Sequence, residues 1–317
     1  MIQLRFMPEF EHRRAFSWRK ALRQFTTILI LALGVPFAVQ AQHMVLAWGD
    51  NKPEWRQKLG ISGIRAGCSD APASCAREAD NIESSQQVHM VFLAVRLNDN
   101  SVSYAKEYSN FTRSHPALYE IGIDDFVGQA EKLHTDSAHL NALVSELIVS
   151  LKSANANIRF GVTVYDDELA KELPSLGLTR DVVQLVDFVH LYPHYRKKEI
   201  PTSEYVKQVK TIFPRAQIIG GIYSYDRRDY LPCVRGGPAP CSGEEEMRLF
   251  SEDVQSEMQL LASGAVAGIE FYPGFFGNEE KWKGWQDRRT CHPERLQECL
   301  GNAKAMRDTL PRIMNNR

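Results

Sequence analysis

The amino-acid sequence predicts an α/β fold: a (β/α)8 TIM-like barrel in a single domain, with loops stapled by local disulfides. Apolar, β-branched runs alternate with helical patterns along the chain, which indicates parallel strands joined by right-handed crossovers. Seven or eight such runs fall within one domain of about 250 residues, a number and length typical of this barrel. Because no glycine-rich phosphate loop follows any run, an open doubly wound sheet is disfavoured.

Each predicted strand is a short apolar run rich in β-branched residues, as expected of strands buried on both faces. In chain order these runs cover residues 44–50, 88–97, 118–125, 158–168, 186–194, 217–226 and 265–274, with 62–67 as a candidate eighth strand. Helical patterns lie between them at 136–153, 203–212 and 243–264. The last of these helices begins with an acidic turn and ends at Gly264, as helix boundaries commonly do.

The first 41 residues have the pattern of a signal peptide. Basic residues between Arg13 and Arg23 precede an apolar run at 28–39, and "VQA" at 39–41 resembles a signal-peptidase site. The run is shorter than the ~20 residues of a membrane-spanning helix, so an uncleaved membrane anchor is the second interpretation. We expect cleavage after Ala41, a barrel domain at 42–317, and a secreted or periplasmic protein.

The six cysteines form three close pairs, which agrees with export to an oxidising compartment. The expected disulfides join Cys68 with Cys75, Cys233 with Cys241, and Cys291 with Cys299. A zinc site is the alternative, but it would need CxxC-type spacing and nearby histidines. We therefore expect no metal and no cofactor.

The charge balance limits the partners. With 38 basic and 39 acidic side chains the net charge is -1, which gives no electrostatic footprint for nucleic acid. The basic run 196–198 is expected to be a solvated loop, or else a feature that favours an acidic polysaccharide. We expect a monomer that binds carbohydrate.

Polar residues end nearly every predicted strand, where the active sites of such barrels lie. Side chains two apart share a face, so if Phe160, Val162 and Val164 face the helices, Thr163 and Tyr165 face the barrel interior. The same alternation places Glu120 and His190 inside. It gives a mouth lined by Arg96, Asp124, Asp167, Tyr192, His194, Tyr223 and Glu270, with Asp125 one step past its strand.

Carboxyl groups and aromatic rings at a barrel mouth indicate a carbohydrate site. Glycosidic cleavage needs one carboxyl group to protonate the departing oxygen and another to act as base or nucleophile, while aromatic faces stack on sugar rings. The candidate catalytic residues are Asp124, Asp125, Asp167 and Glu270. The candidate substrate-binding residues are Trp48, Arg96, Tyr192, His194, Tyr223, Asp226 and Tyr272, and Trp282 and Trp285 are further aromatic platforms.

Structural roles are the alternative for these residues. Asp124 could cap a helix, and Glu270 could pair with Arg96. Two other functions also fit the sequence: a carbohydrate-binding barrel without catalysis, and a metal-dependent polysaccharide deacetylase using His190, His194 and Asp124.

The segment "IGIDDF", a helix of about twenty residues and a strand ending "YDDEL" together resemble a family. They are similar to secreted TIM-barrel glycoside hydrolases, and among these to the hexosaminidases that remove O-linked N-acetylglucosamine. The resemblance implies that Asp124 orients the substrate acetamido group and that Asp125 is the general acid and base in a substrate-assisted mechanism. The chain departs from that family in lacking its glycine-rich first strand.

Overall fold

The computed structural model describes residues 43–68, 71–86, 88–229, 231–237, 239–289 and 291–315. The predicted signal peptide at 1–41 lies outside the described residues. The bounds of the barrel domain at 42–317 stay a prediction.

Eight parallel strands close into a barrel in the order of the sequence. Each strand pairs with the next, and the last pairs with the first, where Leu46 lies opposite Glu270. The strands are β1 Met44–Trp48, β2 Gly63–Gly67, β3 Met90–Val95, β4 Leu118–Ile123, β5 Arg159–Tyr165, β6 Phe188–Tyr192, β7 Gln217–Tyr223 and β8 Gly268–Tyr272. The predicted fold class is therefore confirmed, and the candidate strand at 62–67 is β2.

Eleven α-helices lie within the described residues. They are Pro53–Leu59, Pro72–Gln86, Ser101–Phe111, Phe126–Lys132, Ser137–Leu151, Glu172–Ser175, Arg180–Val183, Thr202–Ile212, Gly243–Ser263, Glu279–Arg289 and Leu296–Asn315. The helix Gly243–Ser263 begins after Ser242, whose hydroxyl accepts a hydrogen bond from the Glu245 backbone N–H at 3.1 Å. It ends at Gly264, whose φ of 74° is a left-handed conformation that favours glycine.

The side chains of the strands divide between two cores, as the alternation predicts. Phe160, Val162 and Val164 pack outward in the large cluster between the strands and the helices. A smaller cluster fills the barrel near the amino ends of the strands; its buried members are Met44, Leu46, Phe92, Phe188 and Ile219. Polar and charged side chains occupy the barrel interior above that cluster, toward the carboxyl ends.

The three predicted disulfides are present: Cys68–Cys75, Cys233–Cys241 and Cys291–Cys299. Cys233, Cys241 and Glu245 lie close enough together to hold a metal ion, but both sulfurs are used in a disulfide. Among the helices of the described part of the chain, none combines the length and the apolar character needed to cross a membrane.

The loop after β6 is bound to the helix Gly243–Ser263 by ion pairs. The basic run 196–198 was expected to be solvated, but its first residue, Arg196, is not. Arg196 is buried and donates to Glu246 at 2.8 Å, and Lys198 lies 2.8 Å from Asp253. In the same helix Glu257 is buried against Gly220 of β7, and its Oε2 has no hydrogen-bond partner among the described residues. Burial raises the pKa of Glu257 to about 7, although Lys198 opposes the shift.

Replacing Glu257 by glutamine is expected to abolish part of the pH dependence of stability. Folding raises the pKa of Glu257 from 4.5 to about 7, so the folded protein keeps a proton that the unfolded chain releases. The free energy of unfolding should therefore fall as pH rises between those values, by up to about 3 kcal/mol. Urea unfolding at pH 5 and pH 8 should show this fall in the wild type and in Glu252→Gln, an exposed control in the same helix. A fall of the same size in Glu257→Gln would contradict the assignment.

Candidate active site

A pocket of about 440 Å³ opens at the carboxyl ends of the strands. Its walls include the final residues of seven strands, among them Trp48 of β1 and Tyr272 of β8. Two carboxyl groups line it, Asp124 and Asp125, together with Arg96 and His194. The aromatic lining consists of Trp48, Tyr165, Tyr192, Tyr223, Tyr225, Tyr272 and Trp285. Of the predicted site residues, the structure thus brings eight together: Trp48, Arg96, Asp124, Asp125, Tyr192, His194, Tyr223 and Tyr272.

Asp124 follows β4 directly and lines the pocket. Its backbone N–H donates to the Val95 carbonyl at 3.0 Å, and the Gln129 side chain donates to its backbone carbonyl. The side chain retains 38 % of its surface exposure, and the guanidinium of Arg65 lies 3.8 Å from Asp124 Oδ1. Desolvation raises the pKa of the Asp124 carboxyl; Arg65 opposes this shift and Asp125 adds to it. Asp124 is therefore suited to carry a proton in contact with a ligand.

Asp125 is exposed and has a left-handed backbone conformation, with φ 45° and ψ 50°. Non-glycine residues adopt this region rarely, and they often do so at functional sites. The hydroxyl of Tyr165 donates a hydrogen bond to Asp125 Oδ1. The Tyr165 ring in turn stacks on His194, with centroids 4.5 Å apart and planes at 10°. The rings of Tyr165 and His194 thus limit the directions from which a ligand can reach the Asp125 carboxyl group.

Glu270 lies inside the barrel, below the pocket, and is completely buried. Its Oε1 accepts hydrogen bonds from Trp48 Nε1 at 2.7 Å, from Arg65 at 3.0 Å and from the Tyr192 hydroxyl. Its Oε2 lies 2.9 Å from His190 Nδ1. Burial disfavours its charge, but Arg65, His190 and Tyr192 hold the pKa of Glu270 at about 2. Its ion pair is thus with Arg65 of β2, whereas the sequence suggested Arg96.

His190 joins Glu270 to a second buried carboxylate. Its Nε2 lies 3.0 Å from Glu120 Oε1, so both ring nitrogens face carboxyl groups. Burial and Arg65 oppose a charge on the ring, yet the two flanking carboxylates raise the pKa of His190. Glu120 fits beside β5 because residue 161 is glycine: a Cβ there would lie 2.3 Å from Glu120 Oε1.

Asp167 lies outside the pocket, contrary to the alternation argument. β5 ends at Tyr165, and a 3-10 turn covers Asp166–Glu168, so the two-residue period no longer applies. The Asp167 carboxylate lies 3.0 Å from His194 Nδ1. Although burial opposes this, the hydrogen bond from His194 lowers the pKa of Asp167. In this position Asp167 orients His194.

Two other predicted residues have structural partners. Asp226 is buried, and its carboxylate binds Arg228 at 2.6 Å and Asn302 Nδ2 at 3.0 Å, away from the pocket. Trp282 is also buried, with the guanidinium of Arg307 4.0 Å from its ring centroid. Trp285, by contrast, reaches the pocket wall and packs edge-on against Tyr272.

The ligands suggested for a metal-dependent deacetylase do not come together. Among the described residues, the potential metal ligands that lie close together are Cys233, Cys241 and Glu245, and not His190, His194 and Asp124. His190 has both nitrogens against carboxylates, and His194 Nδ1 is against Asp167.

The most important residue missing from the sequence-based site is Arg65. It is completely buried, its Nη2 donates to Thr163 at 2.7 Å, and its guanidinium lies 4.9 Å from the centroid of Trp48. The signal was present in "GIRAG", where one arginine alternates with Ile64 and Ala66 in a strand. An interior arginine at such a position indicates a buried carboxylate partner.

No family model matches the chain, and no curated protein matches it. Solved structures that resemble its fold include glycoside hydrolases. They include β-glucuronidase 2 of Bacteroides uniformis, with 11% identity and a TM-score of 0.49 over 73% of this chain and 30% of that one. The catalytic domain of a Pyrococcus furiosus chitinase has 13% identity and a TM-score of 0.44 over 73% of this chain and 84% of that one. A glycoside hydrolase family 5 enzyme of Prevotella bryantii has 13% identity and a TM-score of 0.48 over 85% of this chain and 88% of that one.

The chain spans about 30% of the length of the Bacteroides glucuronidases that it matches.

Proposed function

We propose that this protein is an exported glycosidase that binds an oligo- or polysaccharide in the mouth pocket and cleaves it with Asp124 and Asp125. One observation carries the proposal. Two neighbouring carboxyl groups in different surroundings line an aromatic pocket at the carboxyl ends of eight barrel strands. Carboxyl groups with distinct environments are the arrangement that glycosidic cleavage requires.

The two carboxyl groups differ in a way that suggests their roles. Asp124 is the better proton donor to the departing oxygen, since desolvation raises its pKa. Asp125, exposed and bonded to Tyr165, faces the pocket as the second carboxyl group, which stabilises positive charge on the sugar or orients a nucleophile. These roles reverse those that the resemblance to the O-linked N-acetylglucosamine hexosaminidases implies.

The aromatic wall supports a sugar as the ligand. Tyr272 packs edge-on against Trp48 at 5.0 Å and against Trp285 at 5.6 Å, so the rings brace one another. Rigid aromatic faces bury the apolar faces of sugar rings with little loss of conformational entropy. Three disulfides suit a protein that works outside the cytoplasm.

The test is product release from a panel of aryl glycosides and polysaccharides, with thermal melting measured on the same panel. We expect turnover of at least one member, and a loss of at least about tenfold in Asp125→Asn. Asp181→Asn, which changes an exposed aspartate in the helix Arg180–Val183, is the matched control and should retain full turnover. If no member is cleaved but a saccharide raises the melting temperature, the protein is a carbohydrate-binding barrel instead.

A further inference from the structure

Arg65 is shared unequally between two carboxyl groups. Its Nη1 lies 3.0 and 3.4 Å from the oxygens of Glu270, and its Nη2 donates to Thr163 at 2.7 Å. Asp124 Oδ1 lies 3.8 Å from Nη2, which is within ion-pair range but too long for a hydrogen bond. The donors of Arg65 are therefore directed at Glu270 and Thr163, and Asp124 receives only its charge.

Glu270 is itself badly placed to exchange protons with a ligand. It is completely buried, and donors from Trp48, Arg65, Tyr192 and His190 surround its two oxygens. Protonation of Glu270 would weaken several of these contacts at once. A carboxylate so fully bonded serves to hold its partners in place.

The charged and titratable groups around Asp124 come from several strands. The charge of Arg65 in β2 lowers the pKa of Asp124, whereas the charges of its neighbour Asp125 and of Glu270 in β8 raise it. Tyr165 of β5 and Arg96, just after β3, share the same pocket. Among these groups, Arg65 is the cation in direct ion-pair contact, so its orientation determines how much positive charge Asp124 receives.

We propose that Glu270 is a positioning residue: it holds Arg65 away from Asp124, so that Asp124 keeps the proton that catalysis requires. This inference rests on the proposed function, because it concerns the acid assigned there. The buried residues of the barrel interior then have a common role; they are Arg65, Glu270, His190 and Glu120. His190, held between Glu120 and Glu270, fixes the position from which Glu270 binds Arg65.

The test is a titration that needs no substrate. Carbon-13 NMR of aspartate-labelled protein follows the carboxyl carbon of Asp124 across pH, and Asp124→Asn identifies its signal. In Glu270→Gln, Arg65 is released toward Asp124 and a repelling charge is lost, so the pKa of Asp124 should fall by about 1 unit or more. Glu120→Gln is the control: it removes the same charge on the far side of His190 and leaves Arg65 on Glu270, so a much smaller shift is expected.

The double variant His190→Gln/Glu270→Gln removes both partners of a buried contact and covers the case in which Glu270→Gln fails to fold. It should still show a fall in the pKa of Asp124, because Arg65 is released toward Asp124 in this variant as well. An unchanged or raised pKa, or equal shifts in Glu270→Gln and Glu120→Gln, would overturn the proposal. Because the titration uses no saccharide, this result is independent of whether the panel shows hydrolysis.

Discussion

Replacing Asp124 by asparagine is expected to lower kcat by about 10²- to 10⁴-fold toward the best saccharide of the panel. Asparagine keeps the size of the side chain, but it carries no proton that it can give to the departing oxygen. Since the pocket wall and its aromatic residues are unchanged, KM should change little. Asp181→Asn is again the matched control for an aspartate-to-asparagine change at an exposed site.

The choice of leaving group makes this prediction sharper. An aryl glycoside with an acidic phenol needs little protonation to depart, so Asp124→Asn should lose far less activity on it than on a natural saccharide. Wild-type activity should also fall as pH rises through the raised pKa of Asp124, and the variant should lack that limb. Equal losses on good and poor leaving groups would show that Asp124 acts by binding and not as the acid.

The barrel could be predicted because its strands have a regular pattern. Residues such as Val162, Val164 and Ile269 repeat at every second position and pack toward the helices. This period predicts which side chains point inward, and it places Glu120, Thr163 and His190 in the barrel interior, where they are buried. The acidic first turn and the terminal Gly264 of the helix Gly243–Ser263 are equally local signals. Features encoded within a few residues of the chain were therefore accessible to sequence reasoning.

The site was less predictable where the chain leaves a strand. Asp167 and Asp226 both follow strands, but one lies in a 3-10 turn and the other binds Arg228, only two residues further on. Neither outcome follows from a two-residue period. The ion-pair partner of Glu270 could also not be predicted, since Arg65 is 205 residues away in sequence and contacts Glu270 only when the barrel closes.

Replacing Arg65 by methionine is expected to lower the free energy of unfolding by about 3–5 kcal/mol. Methionine fills much of the volume, but it leaves Glu270 completely buried without its cation and removes the donor to Thr163. His190 and Tyr192 remain beside Glu270, yet they supply at most one further positive charge, which Glu120 already shares. Breaking one side of a buried ion pair costs more than removing both sides.

Urea unfolding measured on three variants tests that reasoning. Arg96→Met changes an exposed arginine just after β3 and should alter the free energy of unfolding by no more than about 0.5 kcal/mol. Arg65→Met/Glu270→Gln removes both charges and should recover part of the loss, because no carboxylate is then stranded. If Arg65→Met were as stable as Arg96→Met, the guanidinium would not be neutralising Glu270. Recovery in the double variant would show that much of the loss in Arg65→Met comes from the buried charge of Glu270 left without its cation.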